Sequence, residues 1–146
     1  EYDLNELIKS ENEFIYKTFK NEIPSGKVYK VLNSGKKKYI GKLSKGIPYG
    51  DWIKLNNEGD VFEIINFANG IPGRRYVIIY HDNGQKHIEG SYLHSKKNGL
   101  FKMYYENGVE SFRGEYLNDS GIGFWSYFDE DGKMIKNIDC SINDCN

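Results

Sequence analysis

Large apolar residues stand at alternate positions around a central glycine in three places: Tyr39 and Leu43 bracket Gly41, Ile88 and Tyr92 bracket Gly90, and Phe112 and Tyr116 bracket Gly114. Alternation of period two predicts β-strands, with each bracket and its glycine on one strand face. Glycine weakens a strand interior, so its presence there predicts a slot that an aromatic side chain of the neighbouring strand fills. Aromatics in the right phase follow a leading glycine by two or three residues, at Tyr29, Trp52, Tyr76, Phe101 and Trp125. The third copy carries Ile65 in place of the slot glycine, so its packing is expected to differ there.

The pattern repeats along the chain. Gly35, Gly59, Gly84, Gly108 and Gly132 are separated by 24, 25, 24 and 24 residues, and all three prolines recur in Ile23-Pro24, Ile47-Pro48 and Ile71-Pro72. A fixed period of this length sets the architecture before any local motif is considered. Each unit predicts a β-hairpin turning at Asn83-Gly84, Asn107-Gly108 or an equivalent pair, where glycine supplies the positive φ a tight turn needs. The second turn of each unit is expected at Gly46, Gly70, Lys97 with Asn98, and Ser120 with Gly121. The predicted fold is all-β: an elongated, single-layer antiparallel meander of about five stacked hairpin repeats of about 24 residues each. Residues 1–12 form a lead that is either a helical turn or irregular, 13–138 the repeat array and 139–146 a tail with Cys140 and Cys145. Glu13–Lys20 is expected to be the second strand of an incomplete first unit.

Charge changes this picture little in bulk and more in detail. A net charge of −1 with 28% charged residues predicts no general attraction to nucleic acid or anionic membrane. Lys36, Lys37, Lys38, Lys42 and Lys45 nevertheless concentrate on one hairpin, either as solvated charges that guard a sheet edge or as an anionic-ligand site. No apolar run reaches membrane-spanning length and no signal peptide is recognisable. Because the sequence begins at Glu1 without methionine, an exported protein whose leader has been removed and a cytoplasmic protein both remain open. The two cysteines suit a disulfide in an oxidising compartment or free thiols in a reducing one.

The search for chemistry finds little. His81 and His87 straddle the Asn83-Gly84 turn and could approach each other across the hairpin, although a two-residue turn would set His81 opposite Lys86 and His87 opposite Tyr80 rather than converge them on a metal. Asp129-Glu130-Asp131-Gly132 imitates the start of a calcium loop but lacks its later ligands. No nucleophile elbow, phosphate loop or dinucleotide fingerprint occurs, so no enzymatic activity, metal or cofactor is expected. Stacked rings suit carbohydrate or single-stranded nucleic acid, yet an aromatic at one phase of every unit is what packing between repeats requires.

Ile47-Pro-Tyr-Gly-Asp-Trp52, Tyr104-Tyr-Glu-Asn-Gly108, Gly114-Glu-Tyr-Leu-Asn-Asp119 and Gly123-Phe-Trp125 together resemble the bacterial variant of the MORN repeat found in YwqK-like proteins. The resemblance covers roughly residues 13–138. It implies a scaffold of stacked hairpins that binds other proteins, and an antitoxin or immunity role in which the chain covers a toxin stoichiometrically. A protein partner is therefore expected, with a homodimer as a further possibility for an open sheet edge. Tyr80, Tyr104 and Tyr105 are the candidate partner-binding residues, taken as side chains the repeat packing leaves free. The alternative is a peripheral membrane or anionic-lipid module using Lys36, Lys37, Lys38 and Lys42.

Overall fold

Strand follows strand through the chain in the computed structural model, which describes residues 1–9, 15–143 and 145. The N-terminal elements are β1 (Tyr2–Asp3), a 3-10 turn (Leu4–Glu6), β2 (Leu7–Lys9) and β3 (Tyr16–Thr18). They lead into β4 (Gly26–Val31), β5 (Lys37–Ser44), β6 (Ile47–Leu55), β7 (Val61–Ala68) and β8 (Ile71–Tyr80). The rest of the chain forms β9 (Lys86–Leu93), β10 (Lys96–Tyr104), β11 (Glu110–Leu117), β12 (Ser120–Phe128) and β13 (Met134–Asp139). The fold is the all-β antiparallel meander that the alternation predicts, with β1 on β4 as a parallel addition. It divides into two compact units, Glu1–Gly73 and Arg74–Asn146.

In the first unit the order is β1-β4-β5-β6-β7, with β2 and β3 paired in a separate small sheet. The segment expected to open the array thus pairs with the lead instead of with β4; Glu13 and Phe14 lie outside the described residues. The lead has a packing role. Leu4 and Leu7 join the cluster of Val28, Ile40, Leu43 and Trp52, and the Tyr16 ring stacks on Trp52 at 5.6 Å. In the second unit β8 to β13 follow in chain order around Phe101, Phe112 and Trp125.

The slot glycines behave as the sequence predicts. A Cβ on Gly41 would lie 2.3 Å from the Trp52 ring, one on Gly90 2.4 Å from Phe101, and one on Gly114 2.6 Å from Trp125. Each indole N–H is satisfied by the strand it covers, Trp52 Nε1 donating to the Lys42 carbonyl and Trp125 Nε1 to that of Glu115. At the third copy Ile65 stands opposite Trp52 and lines a cavity with it. The registers also show bulges that alternation alone did not reveal. Gly99 and Gly123, at φ 106° and 63°, lie where the β9–β10 and β11–β12 registers slip. The β9–β10 slip sets Phe101 directly across from Gly90, and the regular β10–β11 ladder sets it across from Gly114.

The second turns at Gly46 and Gly70 fall where expected, whereas the first turns and the last two second turns differ. At Asn83-Gly84 the His81 N–H donates to the Gln85 carbonyl and the Gly84 N–H to that of His81, while only the glycine has positive φ. This is a longer loop built on a type I turn with a glycine bulge. Asparagine contributes differently: Nδ2 of Asn83 and Asn107 donates to the carbonyls of Glu106 and Glu130 in the following turns. The second turns are two-residue turns with positive φ at both positions: Lys45-Gly46, Asn69-Gly70, His94-Ser95 and Asn118-Asp119. The latter two fall ahead of the Lys97-Asn98 and Ser120-Gly121 expected. Ser95 has φ 65° where the first two turns have glycine, a conformation disfavoured for an L-residue. Ser95→Gly is expected to stabilise the protein by roughly 0.5–1 kcal/mol, read as a higher midpoint in urea. Asp119→Gly should not share the gain, because Asp119 Oδ1 accepts from the Lys97 N–H at 2.8 Å.

Cys140 and Cys145 form a disulfide. Both pack against the Phe101, Phe112 and Trp125 cluster, and Cys140 N–H donates to the Gly123 carbonyl. The disulfide therefore covers Trp125. Replacing both cysteines by serine is expected to lower stability by about 2 kcal/mol, from the entropy of closing so short a loop. Tryptophan emission should shift to the red as Trp125 is exposed.

Candidate functional site

The β4–β5 hairpin concentrates charge of one sign. From Lys27 to Lys45 there are seven lysines and no acidic residue. Register sets Lys27 opposite Lys42 and Lys30 opposite Lys38, and like charges directly opposite one another destabilise a strand pair. The lysines find partial compensation. Lys38 Nζ donates to the Gly59 carbonyl at 2.6 Å, while Lys37 lies over the Tyr29 ring at 4.1 Å and Lys27 over the Tyr39 ring at 5.3 Å. The Tyr39 hydroxyl donates to the Glu1 carboxylate, which that bond, opposed by slight desolvation and aided by Lys37 and Lys27, holds below the usual carboxylate range. Lys27, Lys36, Lys37 and Lys42 are exposed.

Beside these lysines β5 and β6 part company. Their ladder runs from Ser44↔Ile47 to Lys42↔Tyr49 and ends there. At the equivalent place β9–β10 resumes pairing beyond the bulge at Phe101↔Gly90, and β11–β12 at Arg113↔Ser126. The opening is a groove of about 290 Å³ lined by Lys27, Tyr39, Ile40, Lys42, Asp51 and Ile53. Through Ile40 and Ile53 it adjoins an apolar cavity of about 400 Å³ whose walls include Leu4, Tyr16, Trp52, Ile65 and Phe67. Asp51 accepts a hydrogen bond from Asn66 Nδ2. A rim with two lysines, and Asp51 held by Asn66, thus borders an apolar floor of Ile40 and Ile53, a combination able to hold an anionic group beside an apolar one.

The structure brings Lys42 into this groove and leaves Lys36, Lys37 and Lys38 at the turn end of the same hairpin. The tyrosines have other work. Tyr104 hydroxyl donates to Glu89 Oε1 at 2.5 Å and Tyr105 hydroxyl to the Phe128 carbonyl at 2.8 Å, so both are tied into the fold of the second unit. They line a cavity of about 540 Å³ with His81, His87, Glu106 and Glu130. Tyr80, half-buried and opposite Lys86, interacts with its own surroundings and is not on that lining. The inter-repeat bonds take up the Tyr104 and Tyr105 hydroxyls, while all three rings are half-buried.

His81 and His87 do approach each other across the hairpin, in a register other than the expected one. The longer loop sets Lys86 opposite Tyr80, and the register slip between Ile79 and Tyr80 leaves His87 bulged toward His81. Their rings stack at 4.2 Å between centroids, and His81 Nε2 lies 2.8 Å from the Tyr104 carbonyl oxygen. Among the described residues no three His, Cys, Asp or Glu side chains converge as metal ligands. Asp129–Gly132 forms the last hairpin turn, with Asp129 Oδ1 accepting from the Asp131 and Lys133 N–H groups.

No protein-family model, curated protein or solved structure matches the chain.

Proposed function

We propose that the chain is a non-enzymatic protein-binding module of the MORN-repeat-variant kind, and that its first unit binds an acidic protein segment carrying an apolar anchor side chain. The observation that carries this reading is the splayed β5–β6 seam, which sets Lys27 and Lys42 at the rim of a groove floored by Ile40 and Ile53. Keeping two lysines directly opposite one another has a folding cost that an anionic partner would relieve. A toxin covered stoichiometrically is one such partner, the role that the YwqK-like resemblance implies.

A labelled peptide of alternating glutamates around one phenylalanine, titrated by fluorescence anisotropy, tests the reading. Lys27→Glu with Lys42→Glu is expected to weaken binding at least tenfold while the variant stays folded by circular dichroism. The anionic-lipid reading rests on the exposed Lys36 and Lys37 at the hairpin turn. It expects binding to phosphatidylserine vesicles that is lost on charge reversal at Lys37 and is unaffected by substitution of the groove floor at Ile53. Peptide affinity that the groove substitutions do not change would remove the protein-binding reading from this site.

A further inference from the structure

The second unit carries a surface with the complementary chemistry. From Glu106 to Asp131 there are seven acidic residues and one arginine, against seven lysines and no acid between Lys27 and Lys45. On one face of this unit Leu100, Glu115 and Ile122 form a cross-strand row, and next to it Phe124 pairs with Asp139. Phe124 is 63% exposed, and Leu100 and Ile122 are also exposed. A large ring is thereby held in water opposite Asp139, whose Oδ1 accepts from Ser141, with Glu115 one pair away across Ile122, an apolar side chain with acids near it of the kind the lysine groove would accept.

We infer that the occupant of the groove is a second copy of this chain, with Phe124 of one copy seated over Ile40 and Ile53 of another and Glu115 and Asp139 facing Lys42 and Lys27. This rests on the reading of the groove as a protein-binding site. The two surfaces are different patches, so the contact is heterologous. It closes only if two copies engage each other reciprocally, and otherwise extends from copy to copy. Opposite charge on the two surfaces favours encounter and makes the contact salt-dependent.

Sedimentation velocity across a concentration series tests the inference. The full chain is expected to show species larger than one chain at low ionic strength, reverting to single chains as salt is raised. Phe124→Ser, a change at an exposed ring, should leave single chains, and so should Lys27→Glu with Lys42→Glu. Mixing these two variants is decisive, because one keeps an intact acidic face and the other an intact groove: a 1:1 pair is expected, unable to extend. Single chains in that mixture at every concentration, with both variants folded by circular dichroism, overturn the inference. If the acidic phenylalanine peptide still binds the wild-type groove in that case, self-docking fails while the protein-binding reading stands. If the peptide fails as well, both fall.

Discussion

Gly90→Ala is expected to destabilise the second unit by about 3 kcal/mol, the upper range for overfilling a well-packed interior. The added Cβ would lie 2.4 to 2.5 Å from three atoms of the Phe101 ring. No small rotation clears that contact, because Phe101 is itself held against Tyr92 and Tyr116 at ring-centroid distances of 5.4 and 5.1 Å. Gly90 also belongs to β9, which pairs on both sides, so the strand cannot easily move away. Urea unfolding of Gly90→Ala measures the loss. Phe101→Leu combined with Gly90→Ala should recover part of it, since a smaller side chain vacates the slot. The substitution has the opposite sign to the usual glycine-to-alanine gain in unfolded-state entropy, so the sign alone tells close approach from chain flexibility.

Glu89→Gln is expected to cost about 3 kcal/mol at neutral pH and progressively less in acid. Glu89 is 8% exposed and receives Lys86 Nζ at 2.6 Å, the Tyr104 hydroxyl at 2.5 Å and a hydrogen bond from Tyr76. Burial raises its pKa, and the bonds from Lys86, Tyr104 and Tyr76 outweigh burial, leaving it at about 2 against an ordinary 4.5. The same burial and hydrogen bonds push the Tyr76 and Tyr104 hydroxyls well above the usual phenol range. Both shifts lead away from neutrality, so this cluster holds the repeats together and is not poised for proton transfer. A carboxyl with a lowered folded pKa stabilises the fold above its unfolded pKa, and that contribution is lost as pH falls through the folded value. The stability difference between wild type and Glu89→Gln should therefore be constant above pH 5 and shrink between about pH 4.5 and 2. Urea midpoints across that range measure it, and a difference independent of pH would separate Glu89 from the charge role given it here.

Glycine spacing and strand alternation made the fold legible because each repeat satisfies the same local demand: Gly41, Gly90 and Gly114 each lie beneath an aromatic ring. Turn details were less so. Asn-Gly is compatible with both a two-residue turn and the longer bulged loop, and the side-chain bond from Asn83 to Glu106 leaves no periodic trace distinct from the turn itself. The positive φ of His94 and Ser95 has no compositional signal at all. The lysine hairpin was visible as charge, yet its groove depends on where the β5–β6 ladder stops, a property of two strands and not of one segment. Tyr104 and Tyr105 looked free because alternation says which face a ring takes but not whether its hydroxyl finds Glu89 or a carbonyl in the next hairpin. Glu89 itself carried a signal that could have been used, a carboxylate between Ile88 and Gly90 in mid-strand, where a charge needs partners.

Chemical-shift mapping of the isotope-labelled protein with the acidic phenylalanine peptide tests the central claim most directly. The account expects perturbed amides at Lys27, Tyr39, Ile40, Lys42 and Ile53, on both sides of the splayed seam, fading as salt is raised. Perturbations confined to the turn lysines or to the second unit, with the seam unchanged at saturating peptide, would contradict it.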